Sequence, residues 1–226
     1  GTVKVTFDDK GVPDFIITGD VAWDYIELTP ESRYLASQLD AVCFGSLAQR
    51  NNVSHNAITK FLSLVPENAL KIFDINLRQN FYNKQLINES LRLSNVLKIN
   101  DDELLIIADL FGWKGNAEYL CRKLSGNYEL KLLAYTCGAS GSYLFSHDEK
   151  SFLKSPAVKV KDTVGAGDSF TAALMVSLLN GYTLPECHSL AVDISAFVCE
   201  NEGAMPEYSK ELRNRINNFH FKKKSL

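Results

Sequence analysis

Hydrophobic and polar positions change their spacing twice along the chain. Residues 2 to 18 carry two short β-rich runs, "TVKVTF" and "DFIITGD", around "DDKGVP", whose Gly11 and Pro13 mark a turn. This pattern predicts an antiparallel hairpin. Short apolar runs then alternate with helical segments: "DAVCFGS", "VSHNAITKFLSLV", "ALKIFDINLR", and a helix before "NVLKIND". Such alternation is the mark of βαβ units and a parallel sheet. "DDELLIIADLFG" and "NAEYLCRKLSG" read as helices that each stop at a glycine, and "KLLAYTCG" returns as a buried strand. The last third holds a glycine turn, the helix it opens, and a second helix from about Pro185 to Cys199. No repeat, low-complexity segment or clear linker interrupts the chain.

Each expected parallel strand ends in a polar or glycine-bearing segment: "FGSLAQR", "DINLR", "KINDDE" and "TCGASG". In open α/β sheets ligands sit beyond the carboxyl ends of the strands, so these four endings should share one rim. The glycine turn can face the same rim.

With 226 residues, 46% hydrophobic and 23% charged, the chain has the composition of one sizeable α/β domain. Its net charge of −3 gives no nucleic-acid footprint, and the basic "FKKKSL" end reads as a solvated tail. The five cysteines, Cys43, Cys121, Cys137, Cys187 and Cys199, form no CxxC pair, which argues against a zinc site and a disulfide framework. They read as reduced, mostly buried thiols. No apolar run approaches the roughly 20 residues of a membrane span, and no signal peptide is visible. A cytoplasmic protein without membrane or nucleic-acid partners is expected.

The densest chemistry lies in "VKDTVGAGDSFTAALMVSLL", from Val160 to Leu179. Gly165, Ala166 and Gly167 let backbone N–H groups converge without side chains in the way, and the helix that follows adds its own unpaired N–H groups and dipole. Together they make a seat for an anion. Asp162 and Asp168 flank it. Either aspartate alone is an ordinary helix cap. In combination, Asp168 could accept the proton of a hydroxyl attacking a phosphoryl group while the seat holds the developing negative charge.

These residues closely resemble the C-terminal signature of the ribokinase-like sugar kinases, the PfkB carbohydrate kinase family, and among them the fructokinases. The resemblance implies that Asp168 is the general base and that the backbone of Gly165, Ala166 and Gly167 forms the anion hole. "KINDDE" is similar to the family's NxxE motif, which implies that Asn100 meets the nucleotide phosphates and that Glu103 organises Mg²⁺ through water; on their own, these residues read as a helix cap. "TCGASGSYLF" resembles the strand and turn at the nucleotide, with Thr136 and Gly138 near phosphates and Gly141 permitting the turn. "DINLR" resembles the fructokinase form of an internal strand ending, from which Arg78 could reach a sugar oxygen or phosphate. The implied seat of a monovalent cation such as K⁺ is Asp162, the carbonyl of Val164, and carbonyls of the loop from Val198 to Gly203. The opening hairpin is similar to the family's β-lid, which covers the sugar and in many members supports a homodimer.

The implied fold is a ribokinase-like three-layer α/β sandwich with a mainly parallel central sheet and a small hairpin lid. Residues 1–226 would form one such kinase domain, starting inside the lid and lacking the first βαβ portion with its Gly-Gly-x-x-x-Asn sugar motif. The implied activity is ATP- and Mg²⁺-dependent phosphorylation of a sugar hydroxyl, with fructose first. Ketodeoxygluconate, ribose and nucleosides are the alternatives within the fold. A nucleotide-binding protein without turnover is the alternative of another class.

Overall fold

The computed structural model describes residues 2–7 and 13–218. The opening hairpin is present: β1 (Val3–Phe7) pairs antiparallel with β2 (Pro13–Ile17), Val3 facing Ile17. The turn between them, where Gly11 stands, lies outside the described residues. α1 (Pro30–Ala36) follows, a helix the periodicity did not signal; Thr29 caps it, accepting a hydrogen bond from the Ser32 N–H.

A regular alternation then builds the main sheet: β3 (Ala41–Phe44), α2 (Asn52–Leu64), β4 (Leu70–Asp74), α3 (Lys84–Leu93), β5 (Val96–Asn100), α4 (Asp101–Phe111), α5 (Ala117–Asn127) and β6 (Leu132–Thr136). β7 (Ser142–Ser146), β8 (Lys150–Leu153), α6 (Ala166–Leu179), α7 (Leu184–Cys199) and α8 (Lys210–Asn218) complete it. α4 stops where expected, at Gly112 in a left-handed conformation (φ +67°). α5 does not stop at Gly126. The helix runs one residue past it, because Leu120, Cys121 and Leu124 already commit that face to the core and the conformational cost of one glycine is only about 1 kcal/mol.

Six strands lie in the order β3-β4-β5-β6-β7-β8. The first four are parallel; β7 and β8 return antiparallel. Side-chain alternation explains the three layers. Phe73, Leu97, Ile99 and Leu133 face one side and pack under α3, α4 and α5, whereas their neighbours Ile72, Val96, Leu132 and Ala134 face the other side and pack under α6 and α7. α6 is apolar around much of its circumference because it lies between the sheet and α7, and its buried residues include Phe170, Ala173, Leu174 and Ser177. A smaller cluster of Ala36, Val65 and Ala69 joins α1 and α2 to the β3 edge, an edge without a further strand among the described residues.

The hairpin is tied to this body by Arg50, which follows β3. Its guanidinium grips Asp24 twice (Nε to Oδ1 2.6 Å, Nη2 to Oδ2 2.8 Å) and donates to the Thr18 carbonyl just beyond β2 (2.7 Å). The Arg50 guanidinium holds the Asp24 carboxyl below the usual carboxylate range.

All five cysteines are free. Cys121 and Cys187 are buried, but Cys137 and Cys199 are half-buried and Cys43 is exposed on the open β3 edge, so the thiols are less buried than their composition suggested.

Candidate functional site

Parallel pairing of β3 to β6 brings their carboxyl ends to one rim, and short polar contacts hold those ends together. The Ser46 N–H and hydroxyl both donate to the Ile75 carbonyl (3.2 and 2.8 Å), while Gly45 passes the end of β4 so closely that a Cβ there would lie 3.1 Å from the Asp74 carbonyl oxygen. The glycine turn and the start of α6 belong to the same rim.

That turn is built for a left-handed step. Gly165 has φ +80° and serves as the N-cap of α6; a Cβ on it would lie 2.7 Å from the Ala204 Cα. Only glycine fits both constraints. The Ala166 N–H donates to the Thr163 carbonyl, whereas the N–H groups of Gly167 and Asp168 fall in the first turn, where a helix offers no internal acceptor. The turn is braced from behind: the Ser195 hydroxyl on α7 donates to the Ala166 carbonyl (2.9 Å), and the Lys161 N–H to the Cys199 carbonyl (2.8 Å).

The three expected acids differ in what their oxygens do. Asp162 accepts the Val164 N–H on Oδ1 (3.0 Å) and the Gly203 N–H on Oδ2 (3.2 Å), so it clamps the turn to the loop after α7; those backbone bonds hold its carboxyl below the usual range. Glu103 is 4% exposed and accepts the Leu77 N–H on one oxygen (3.1 Å) and the Asn100 N–H on the other (2.9 Å). Asn100 returns the contact, its Oδ1 accepting the Glu103 N–H (2.8 Å), which completes a capping box at α4. Asp168 is exposed, and its carboxylate has no hydrogen bond or ion pair among the described residues. Of the three, it alone has both oxygens free of hydrogen bonds among the described residues.

The remaining expected residues sit on the same rim. Thr136 ends β6, and Gly138 (φ +51°) and Gly141 (φ +119°) shape the tight link to β7, where a Cβ on Gly141 would lie 2.5 Å from the Leu153 carbonyl oxygen. Arg78 follows β4; it is exposed and its Nη1 donates to the Leu77 carbonyl (3.0 Å).

Three residues that the motifs did not single out lie beneath the seat. Lys98 on β5 points toward α6, with Nζ 3.0 Å from Asp74 Oδ1. The Thr171 hydroxyl on α6 donates to Asp74 Oδ2 (2.8 Å). Lys98 and Asp74 are each 8% exposed and Thr171 is 3% exposed. A lysine inside the apolar run "VLKIN" was the available signal, since a buried lysine needs a partner.

For a nucleotide and its metal, the donor set fits in part. Unpaired first-turn N–H groups and glycine-shaped turns suit phosphate oxygens. No group of three or more His, Cys, Asp or Glu gathers as a metal cluster among the described residues, and both Glu103 oxygens already hold backbone N–H groups. Mg²⁺ therefore fits here as an ion carried by phosphates and reached through water rather than by direct protein ligation.

The fold is a three-layer α/β sandwich whose sheet ends converge on a glycine-built turn beside a carboxylate without a partner among the described residues. The chain belongs to the pfkB family of carbohydrate kinases, whose family model matches residues 3–211. A crystal structure of an uncharacterized sugar kinase from Pyrococcus horikoshii superposes with a TM-score of 0.76 at 25% identity, covering 95% of this chain and 71% of that one. The fructokinase of Rhizobium leguminosarum bv. trifolii is 25% identical over 221 residues, 96% of this chain and 62% of that protein. The aminoimidazole riboside kinase of Salmonella enterica, solved with aminoimidazole riboside and an ATP analog, shares the fold at a TM-score of 0.71 and 24% identity, covering 92% of this chain and 70% of that one. The chain spans 60% and 62% of the length of two of the curated relatives it matches. The fold is ribokinase-like, as the signature implied. Among the described residues no helix is long and apolar enough to cross a membrane.

Proposed function

We propose that this chain forms the catalytic part of an ATP-dependent kinase for a free sugar. The observation that carries the reading is the contrast among its acids: Asp162 and Glu103 are engaged by backbone N–H groups, whereas Asp168, beside the first-turn donors of α6, is not. In this reading Asp168 takes the proton of the sugar hydroxyl as its oxygen attacks the γ-phosphorus in line. The N–H groups of Gly167 and Asp168 hold the charge of the transferring phosphoryl group. Asn100, whose Oδ1 is fixed by the cap, turns its amide nitrogen to the nucleotide phosphates, beside Thr136 and the Gly138–Gly141 turn. A bound Mg²⁺ would supply charge neutralisation to the nucleotide phosphates, and Glu103 is the residue that would organise it through water. Asp162, with the carbonyls of Val164 and Gly203, seats a monovalent cation.

Fructose is the proposed acceptor, and the hairpin of β1 and β2, anchored through Arg50, covers it. Exposed Arg78 favours a second reading, in which an acidic or phosphorylated sugar is preferred, because its planar fork suits carboxylate or phosphate. The test compares kcat/KM for fructose, fructose 6-phosphate, ketodeoxygluconate, ribose and adenosine, with Asp168→Asn as the control. We expect Asp168→Asn to lower kcat by about a hundredfold or more with nucleotide affinity little changed. Near-normal turnover would remove Asp168 as base. An anionic-sugar preference that vanishes in Arg78→Ala would replace fructose, and nucleotide binding without turnover of any sugar would leave a binding protein.

A further inference from the structure

The buried pair beneath the anion seat is an expensive way to fasten a helix. Two charges removed from water recover that cost only with good geometry, and neutral replacements of similar volume are often as stable. Fastening β4 and β5 to α6 therefore does not by itself account for a Lys–Asp pair. Its orientation does suggest a purpose. Lys98 Nζ lies 3.1 Å from where a Cβ on Gly167 would stand, so the ammonium sits directly under the second residue of α6. The carboxylate it pairs with is gripped on its other oxygen by Thr171 (2.8 Å), one helical turn farther along. The Thr171 hydroxyl also lies 3.1 Å from the Gly167 carbonyl, which keeps it in register with that turn. The positive end of the pair thus points to the N-terminus of α6 and the negative end points into the helix, the same sense as the helix dipole.

We propose that Lys98, aimed by Asp74 and Thr171, is a positioning residue of the anion seat. Its ammonium places a fixed positive charge under the Gly167 and Asp168 N–H groups and thereby strengthens their hold on a transferring phosphoryl group. The role deepens the kinase reading and rests on it for its purpose, but the charge itself acts on any phosphate in the seat. It also gives Gly167 a reason distinct from that of Gly165. Gly165 is required by its left-handed backbone, whereas a Cβ at residue 167 would crowd the ammonium at 3.1 Å and push it by a few tenths of an ångström.

The test uses two variants of the full chain. Lys98→Met alone leaves Asp74 buried without its cation and destabilises the protein by that route. Lys98→Met/Asp74→Asn keeps both shapes and an acceptor for Thr171 while removing both charges, so it carries the decision. Inorganic phosphate is titrated into wild type and the double variant while the Gly167 and Asp168 amide resonances are followed by NMR; kcat and KM for ATP are measured in parallel. The expected result is a double variant with near-wild-type melting, phosphate affinity about tenfold weaker or worse, and a lower kcat with KM for ATP little changed. Unchanged phosphate affinity in the folded double variant overturns the proposal, as does a wild-type seat whose amides do not respond to phosphate. If wild type phosphorylates no sugar yet its phosphate binding still depends on Lys98, the kinase reading fails and the positioning role stands.

Discussion

Glu103 offers the sharpest division between a structural and a metal-organising role. Both oxygens accept backbone N–H groups, from Leu77 at 3.1 Å and Asn100 at 2.9 Å, in a site 4% exposed to solvent. Glu103→Gln keeps the shape but turns one acceptor into an NH₂ donor. Whichever way the amide settles, one N–H loses its acceptor and faces another donor, and the surviving bond loses the help of the charge. A hydrogen bond to a charged group is worth about 1.5–3 kcal/mol, and an orphaned buried N–H adds about 1–3 kcal/mol, so a loss of roughly 2.5–6 kcal/mol is expected. Against a domain stability of about 5–15 kcal/mol that is a large fraction. The assay is urea unfolding of ligand-free protein at neutral pH, comparing midpoint and slope, followed by a Mg²⁺ titration of activity. A clear fall in midpoint at unchanged slope supports the clamp. An unchanged midpoint with a raised Mg²⁺ requirement would refute this reasoning and assign Glu103 to the metal alone.

Gly165→Ala should cost about 2–5 kcal/mol, from the left-handed backbone and from a Cβ that would lie 2.7 Å from Ala204, with Gly167→Ala costing far less in thermal melting because only the flexible end of Lys98 is in its way. His188 is fully buried between the hydroxyls of Ser142 and Ser151 (2.8 Å each), and burial pushes its imidazole down to about 4. The unfolded chain therefore binds a proton that the folded one refuses: stability should fall as pH drops from about 6.5 toward 4, and His188→Gln should flatten that part of a melting-against-pH curve. Asp24→Asn breaks a buried ion pair with Arg50 and should lower stability by about 3–5 kcal/mol; if the hairpin is a lid, it should also raise KM for the sugar more than KM for ATP.

How much of this was legible in the chain follows from how local each signal is. The βαβ alternation from Asp40 to Thr136 was readable because one-face and two-face burial leave different periods, and the observed β3 to β6 fall where the apolar runs stand. α1 was not, being a seven-residue helix set by Thr29 and Pro30 and by its contact with α2. The motif acids were visible, but their division of labour was not. The Asn100 N–H on Glu103 belongs to a local cap, but the Leu77 N–H that takes its other oxygen comes from 26 positions away and is delivered by the fold alone. Thr171 looked like one more residue of an apolar helix. Its link to Asp74 spans 97 positions, and no local pattern carries such a contact.

On the kinase reading proposed above, the same distances would let the seat act without moving. An anion hole helps only if its donors are already aimed when charge develops, since turning them at that moment would consume the gain. α6 cannot rotate freely about its axis, because the sheet lies on one side and α7 on the other. Its N-terminal end is held at three points: the Ser195 hydroxyl on the Ala166 carbonyl, Gly165 in close approach to Ala204, and, one turn farther along, Thr171 on Asp74. The clamp from Asp162 to Gly203 fixes the approach to the turn, so even its exposed face is anchored. Each pin comes from a different element: α7, the loop after it, and β4. Loosening one should therefore lower the rate before it unfolds the protein, because the seat tolerates far less displacement than the core does.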